Sequence, residues 1–193
     1  MGSKAVEKRN YILAKAIHVF IREGYTSVTM KDIVEECGIS RGGLYKYFSS
    51  TKEIFEGILS SQKSADNSYF YESMKNKKNA VTILTEFLQQ QKEELLNIDS
   101  TIRLAIYEFF LSQKDNSFEG ILEQYFNDAV AMISKTLSYG IERKEIMPLD
   151  TDGMARQIVI LLEGLTIMAL SMSVSPTLID EQIDMMIKRI VST

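Results

Sequence analysis

Residues Ser40 to Lys52, SRGGLYKYFSSTK, hold the densest set of groups in this chain suited to gripping a polyanion. Arg41, Lys46 and Lys52 bring positive charge, Ser40 and Thr51 bring hydroxyls, and Tyr45 and Tyr47 bring phenols on apolar rings. A guanidinium such as that of Arg41 can donate two parallel hydrogen bonds to guanine O6 and N7, the commonest base-specific contact. Ammonium and hydroxyl groups suit phosphate oxygens better, and those contacts fix register without reporting sequence. Gly42 and Gly43 remove side-chain bulk where a backbone would meet a groove. Bond-making chemistry has no comparable set. The chain lacks a glycine-rich phosphate loop, an HExxH pair, a nucleophile elbow and a Cys–His pair. Adjacent acids such as Glu35-Glu36 and Glu93-Glu94 point in different directions on a helix. An enzyme is therefore not expected, and no cofactor is implied.

The elements that must carry these groups are legible from their caps. Thr29 reads as an N-cap, with Asp32 three residues on completing an acidic capping box. A helix from about Met30 to Cys37 follows, with Ile33 and Val34 inward, and Gly38 ends it. Ser40 caps a second short helix, Arg41 to Tyr47, anchored by Leu44 and Phe48. Ser50 or Thr51 caps the next. Ahead of the pair, about Ala5 to Glu23 forms a helix with Ile12, Ala16, Val19 and Phe20 on one stripe, stopped by Gly24. Two short helices across a glycine turn, packed on a third, make a helix-turn-helix, which lays its second helix in the major groove of a duplex. The net charge of −4 argues against a nucleic-acid partner only until its distribution is read. Up to Phe55 there are nine Lys and Arg against six Asp and Glu, a net of +3; the remainder has thirteen against twenty, a net of −7. Phosphates would attract the front of the chain and repel the back.

Beyond Phe55 the pattern stays helical, and no strand alternation or repeat is visible. Helices are predicted at about 51–74, 80–96, 100–113, from the KDNS loop at 114–117 to about 143, 151–173 and 177–191, with NKKN at 76–79, Pro148 and Pro176 as breaks. The prediction is an all-α chain of about nine helices. Residues 1–49 are expected to form a three-helix DNA-binding domain, and residues 50–193 a second helical domain, for dimerisation, with helix 51–74 as connector. The lone Cys37 cannot build a disulfide, and His18 has no ligand partner in sequence, so no metal is expected. The N-terminus carries no apolar stretch of signal-peptide length. The longest apolar run, 158–174, is broken by Glu163 and falls short of the ~20 residues of a spanning helix. These absences predict no membrane partner and a cytoplasmic location.

The chain resembles the tetracycline-repressor (TetR) family in Phe20, Gly24, Tyr25, Thr29, Ile33, Val34, Gly38, Ser40, Gly42, Leu44, Tyr45, Phe48, Glu53 and Phe55, in order and spacing over about 45 residues. ERKEI at 142–146 and Glu163-Gly164 are similar too. The resemblance implies a homodimeric transcription regulator, usually a repressor, on a double-stranded operator, with a small-molecule effector pocket in the C-terminal domain. By that similarity the DNA contacts map to Thr29, Met30, Lys31, Ser40, Arg41, Gly42, Gly43, Tyr45, Lys46 and Tyr47. The family often has Lys at the head of the fourth helix, where this chain has Thr51 followed by Lys52. A phosphate contact there falls to the Thr51 hydroxyl, the helix N-terminus or Lys52.

The last two predicted helices are too apolar for lone surface helices. Leu161, Leu165, Ile179, Ile183, Met186 and Ile190 are expected at a four-helix subunit interface. A two-fold dimer places its reading helices about one DNA turn apart, ~34–36 Å, so the operator should be a near-palindrome. Phe70, Phe87, Tyr107, Phe110, Tyr125, Phe126, Met132 and Met168 are the candidate effector-pocket residues. Aromatic and Met side chains without a charge cluster suit a moderately hydrophobic ligand. The connector, about 24 residues at ~1.5 Å rise, is a rod of ~36 Å suited to transmitting ligand binding. The competing reading is a dimerisation or adaptor protein that kept this fold and lost DNA binding; Arg41, Lys46 and Lys52 argue against it.

Overall fold

The computed structural model describes residues 3–112 and 119–191, so the KDNS loop predicted at 114–117 lies outside the described residues. Among them the chain has nine α-helices and no strand, the predicted class. They are α1 (Ser3–Ser27), α2 (Met30–Cys37), α3 (Arg41–Tyr45), α4 (Thr51–Lys75), α5 (Ala80–Leu96), α6 (Arg103–Ser112), α7 (Glu119–Glu142), α8 (Thr151–Ser171) and α9 (Pro176–Val191). A short 3-10 turn at Ile98–Ser100 precedes α6.

Two compact units share this chain. The first holds α1 to α3, α4 as far as Ala65, and the segment from Asp99 that carries α6. It is larger than the 1–49 domain expected from sequence. The reason is a shared core: Ile54, Phe55 and Ile58 of α4 and Phe109 of α6 are buried with Phe20 of α1. Phe20 and Phe55 meet edge to face at 4.8 Å between ring centroids, and Tyr25 lies 4.9 Å from Phe55 and 4.8 Å from Phe109. Such offset and perpendicular ring pairs add to the burial of the rings themselves.

A carboxylate completes the join. Glu108 Oε2 accepts hydrogen bonds from the backbone N–H of Tyr25 (2.6 Å) and of Thr26 (3.0 Å), and from the Thr26 hydroxyl (3.2 Å). These donors follow Gly24, which at φ 75°, ψ 179° breaks the helical path inside α1, as its predicted stop required. The position demands glycine twice: L residues rarely adopt this φ, and a Cβ there would lie 2.6 Å from Glu108 Oε2.

The second unit takes Asp66–Ile98 and the described residues from Glu119 onward. Its core is aliphatic, with Leu84 and Leu88 from α5, Ile133 and Leu137 from α7, and Ile158 and Leu162 from α8. Polar links cross it: Ser134 donates to Asp152 at 2.6 Å, the Tyr139 hydroxyl to the Lys78 carbonyl at 3.1 Å, and Lys92 pairs with Asp180.

Most of the residues expected at a subunit interface also lie in this core. Leu165, Ile179, Ile183 and Ile190 are buried in the chain's own core, and Leu161 and Met186 pack against its edge. Helix α9 packs on α5 of the same chain, and its isoleucines join that core. A helix apolar around much of its circumference does not declare which stripe its own chain will cover. The apolar residues left outward are different ones: Ile160 and Ile167 of α8 and Met185 of α9, with 61%, 47% and 57% of their surface exposed. At 21 residues α8 is also long and apolar enough, by length and composition alone, to cross a membrane. Its inward face belongs to the core just described.

Because Ile183 is fully packed within its own chain, Ile183→Ala should lower unfolding stability by about 2–5 kcal/mol. Urea denaturation at several protein concentrations checks this. A deficit that disappears at high concentration would return Ile183 to a subunit interface.

Candidate nucleic-acid interface

The helix-turn-helix is held by local hydrogen bonds. At the head of α2, Asp32 accepts from the Thr29 N–H (2.8 Å) and hydroxyl (2.7 Å), while Thr29 Oγ1 accepts from the Asp32 N–H, a complete capping box. Gly38 ends α2 in the left-handed region, φ 59°, ψ 36°, with its N–H turned back to Glu35 and Val34 carbonyls. The Tyr11 hydroxyl of α1 donates to the Cys37 carbonyl at 3.0 Å, satisfying another group of that terminus. Ser40 Oγ accepts from the Gly43 N–H at 3.1 Å. The helix it caps ends at Tyr45, two residues before the predicted end. Beyond Tyr45 the N–H groups of Tyr47 and Phe48 both turn to the Leu44 carbonyl, tightening the last turn. Ser50 is the cap of α4: its Oγ accepts from the Glu53 N–H at 3.2 Å.

All twelve residues expected at DNA lie in the first unit, at the head of α2, along and just after α3, and at the head of α4. None is buried. Thr29, Lys31, Ser40, Arg41, Gly42, Tyr45 and Lys46 are exposed; Met30, Gly43, Tyr47, Thr51 and Lys52 are half-buried. The Tyr45 ring is 43% exposed, with the Arg41 guanidinium 5.5 Å from its centroid, so it does not serve the small core. A Cβ built on Gly42 would meet nothing within 4 Å. No internal packing needs glycine at that position, although glycine weakens a helix by about 1 kcal/mol relative to Ala.

One residue of this site went unnoticed in the sequence. Arg9 of α1 donates to the Tyr47 carbonyl at 3.0 Å, lies over the Phe48 ring at 4.1 Å, and stands 3.6 Å from Glu53 Oε1. Glu53 Oε2 in turn accepts from the N–H and hydroxyl of Ser49, both at 2.8 Å. The partners are 38 and more positions from Arg9, so no local pattern announces them. Elsewhere in the unit, a cleft of about 590 Å³ is lined by Arg22, Glu23, Ser27, Asp32, Glu35 and Glu36. Four carboxylates against one guanidinium make that cleft unfavourable for phosphate.

Residues 12–58 match the model of the bacterial regulatory proteins of the tetR family, and residues 82–180 match the tetracyclin repressor-like C-terminal domain. An uncharacterized HTH-type transcriptional regulator of Bacillus subtilis, YfiR, is 32% identical over 147 residues, covering 71% of this chain and 67% of its own length. The chain belongs to the TetR family. As a TetR-family protein it is a DNA-binding transcriptional regulator and not an enzyme. It spans less than half the length of the next curated relatives that it matches. A TetR-family regulator from Agrobacterium tumefaciens has the same fold at a TM-score of 0.76 and 16% identity, with 97% of this chain and 99% of the other covered. FadR from Bacillus subtilis, solved with stearoyl-CoA, matches at 0.70 and 19% identity, covering 95% and 97%.

The eight candidate effector residues are divided between the units. Tyr107 and Phe110, both half-buried, lie on α6 in the first. In the second, Phe70 is buried with its ring 5.2 Å from that of Phe87, and Phe87 and Phe126 pack against the aliphatic core. Met132 and Met168 are half-buried and Tyr125 is 37% exposed.

Hydrogen bonds from Thr29 hold the Asp32 carboxyl below the usual carboxylate range, and those from Ser49, with the nearby Arg9 charge, do the same for Glu53. A carboxyl with a lowered folded pKa stabilises the fold above its unfolded pKa, and that contribution is lost as pH falls through the lowered value. The stability gap between wild type and Asp32→Asn or Glu53→Gln should therefore be full at pH 7 and close as pH drops below about 4. Denaturation midpoints across that range check it, and a gap independent of pH would contradict the assignment.

Proposed function

We propose that the chain is a homodimeric repressor that holds a near-palindromic operator in the cytoplasm and leaves it when a small, moderately hydrophobic effector binds the second unit. The observation that carries the DNA half of this reading is the exposed row on and beside α3. Arg41 projects next to Gly42, whose missing side chain fills no internal need. A glycine that weakens its own helix without serving its own fold suits a surface that another molecule must approach closely. Arg41 reads a base edge, while Lys46, Lys52 and the hydroxyls of Ser40, Tyr45 and Tyr47 hold phosphates.

The dimer half rests on the outward face of α8 and α9. Ile160, Gly164 and Ile167 recur at three- and four-residue spacing on α8, and Met185 is exposed on α9. A Cβ on Gly164 would meet nothing within 4 Å, so a partner helix can come close at that point. Two helices from each subunit then form a four-helix contact, with the reading helices ~34–36 Å apart on one face of the duplex.

For the effector, support comes from the aromatic and methionine side chains of the second unit, chiefly Phe70, Phe87, Phe126, Met132 and Met168. FadR, with the same fold, holds stearoyl-CoA. Helix α4 runs unbroken from Thr51, in the first unit, to Lys75, in the second. An effector releases DNA only if it binds the non-binding arrangement of this rod more tightly than the binding one.

Arg41→Ala should lose about 1–3 kcal/mol of preference for operator over scrambled duplex. Lys46→Ala should weaken both duplexes alike and flatten the salt dependence. Binding isotherms at several salt concentrations separate the two, and equal losses on both duplexes for Arg41→Ala would remove it as a base reader. For the dimer, Gly164→Trp should shift sedimentation from two subunits toward one without lowering helix content; an unchanged dimer would move the interface elsewhere.

A further inference from the structure

The reading helix α3 is anchored from below by Leu44 and Phe48, both buried. Apolar burial of this kind has no preferred direction, so it sets the depth of a helix without setting its rotation. Directional contacts must do that, and α3 has few. At its head, Ser40 caps the Gly43 N–H. At its exit, the Tyr47 carbonyl takes a hydrogen bond from Arg9 of α1 at 3.0 Å. The same guanidinium lies over the Phe48 ring and faces Glu53, whose carboxylate grips Ser49. One planar group thus links α1, the end of the reading helix and the head of α4.

We propose that Arg9 is a positioning residue for DNA recognition: it sets the angle at which α3 is presented, through the Tyr47 carbonyl and Glu53. This rests on α3 being the helix that reads bases. A guanidinium is suited to the task because its plane can donate to a carbonyl at one edge, face a carboxylate at another and stack on a ring. Lysine keeps the charge but is a point donor on a flexible stem and cannot hold all three. Glu53 also places a negative charge close to Thr51 and Lys52, where a phosphate is expected, and Arg9 offsets it. Bidentate readout by Arg41 tolerates little rotation of the helix that carries it, so the effect of loosening Arg9 falls on discrimination.

The test uses the full-length chain, an operator selected by the wild-type protein from random duplexes, and a scrambled duplex of the same length. Arg9→Lys should bind the operator roughly tenfold more weakly, the scale of losing one bidentate base contact. Its affinity for the scrambled duplex should stay within about twofold and its salt slope should be unchanged, because no phosphate contact is lost. Equal losses on both duplexes with a shallower slope would make Arg9 a phosphate contact and overturn the proposal. So would wild-type operator binding, or loss of the folded state by circular dichroism. Arg41→Ala, run in parallel, separates the two levels. If it lowers operator preference while Arg9→Lys leaves that preference at the wild-type value, only the positioning role falls; if Arg41→Ala keeps the wild-type preference, α3 is not the reader and both fall.

Discussion

A helical segment of five residues, two of them glycine, has no stability of its own. The first turn of any helix fixes several residues for a single hydrogen bond, and each glycine adds about 1 kcal/mol against it. Helix α3, Arg41–Tyr45, is such a segment, and the first unit is organised around holding it. The left-handed turn at Gly38 delivers the chain to Ser40, and Ser40 caps the first turn. Leu44 and Phe48 bury below, and Ser50 and Glu53 start α4 directly behind. The two glycines suit a surface that another molecule approaches, and the surroundings supply the order that they take away.

Those surroundings depend on a larger core than three helices provide. Phe20, Tyr25, Phe55 and Phe109 bring α1, α4 and α6 onto one cluster of rings. Glu108 holds the backbone just past the break at Gly24. The second unit is built differently, from aliphatic side chains on α5, α7, α8 and α9, with polar links such as Ser134 to Asp152 fixing the register of neighbouring helices.

What the sequence disclosed follows the range of the interactions. Thr29 with Asp32, Gly38, and Ser40 with Gly43 act over four residues or fewer, and their roles could be read directly. Helix class and order followed from periodicity. The roles of Arg9 and Glu108 could not be read, because their partners stand 38 and 83 positions away. The α8 and α9 pattern announced burial correctly but not by whom. Ile179, Ile183 and Ile190 went to their own chain, while Ile160 and Ile167 were left outward. Hydrophobicity is a property of a residue; the choice between two covers is a property of packing. The early end of α3 at Tyr45 is of the same kind, since the tightened turn onto the Leu44 carbonyl leaves no compositional mark.

The Glu108 grip on the backbone after Gly24 bears on how regulators of this design can be recombined. The span matched by the N-terminal family model, residues 12–58, looks like a portable cassette. Grafted onto a foreign body, it would leave Tyr25 and Thr26 without their carboxylate and Phe55 without Phe109. The recipient's own sixth helix would have to present a carboxylate and an aromatic ring, side by side in sequence, to the incoming piece. Hybrid regulators of this design therefore have a compatibility requirement outside the exchanged segment, at two residues that no alignment of the cassette alone would bring to notice.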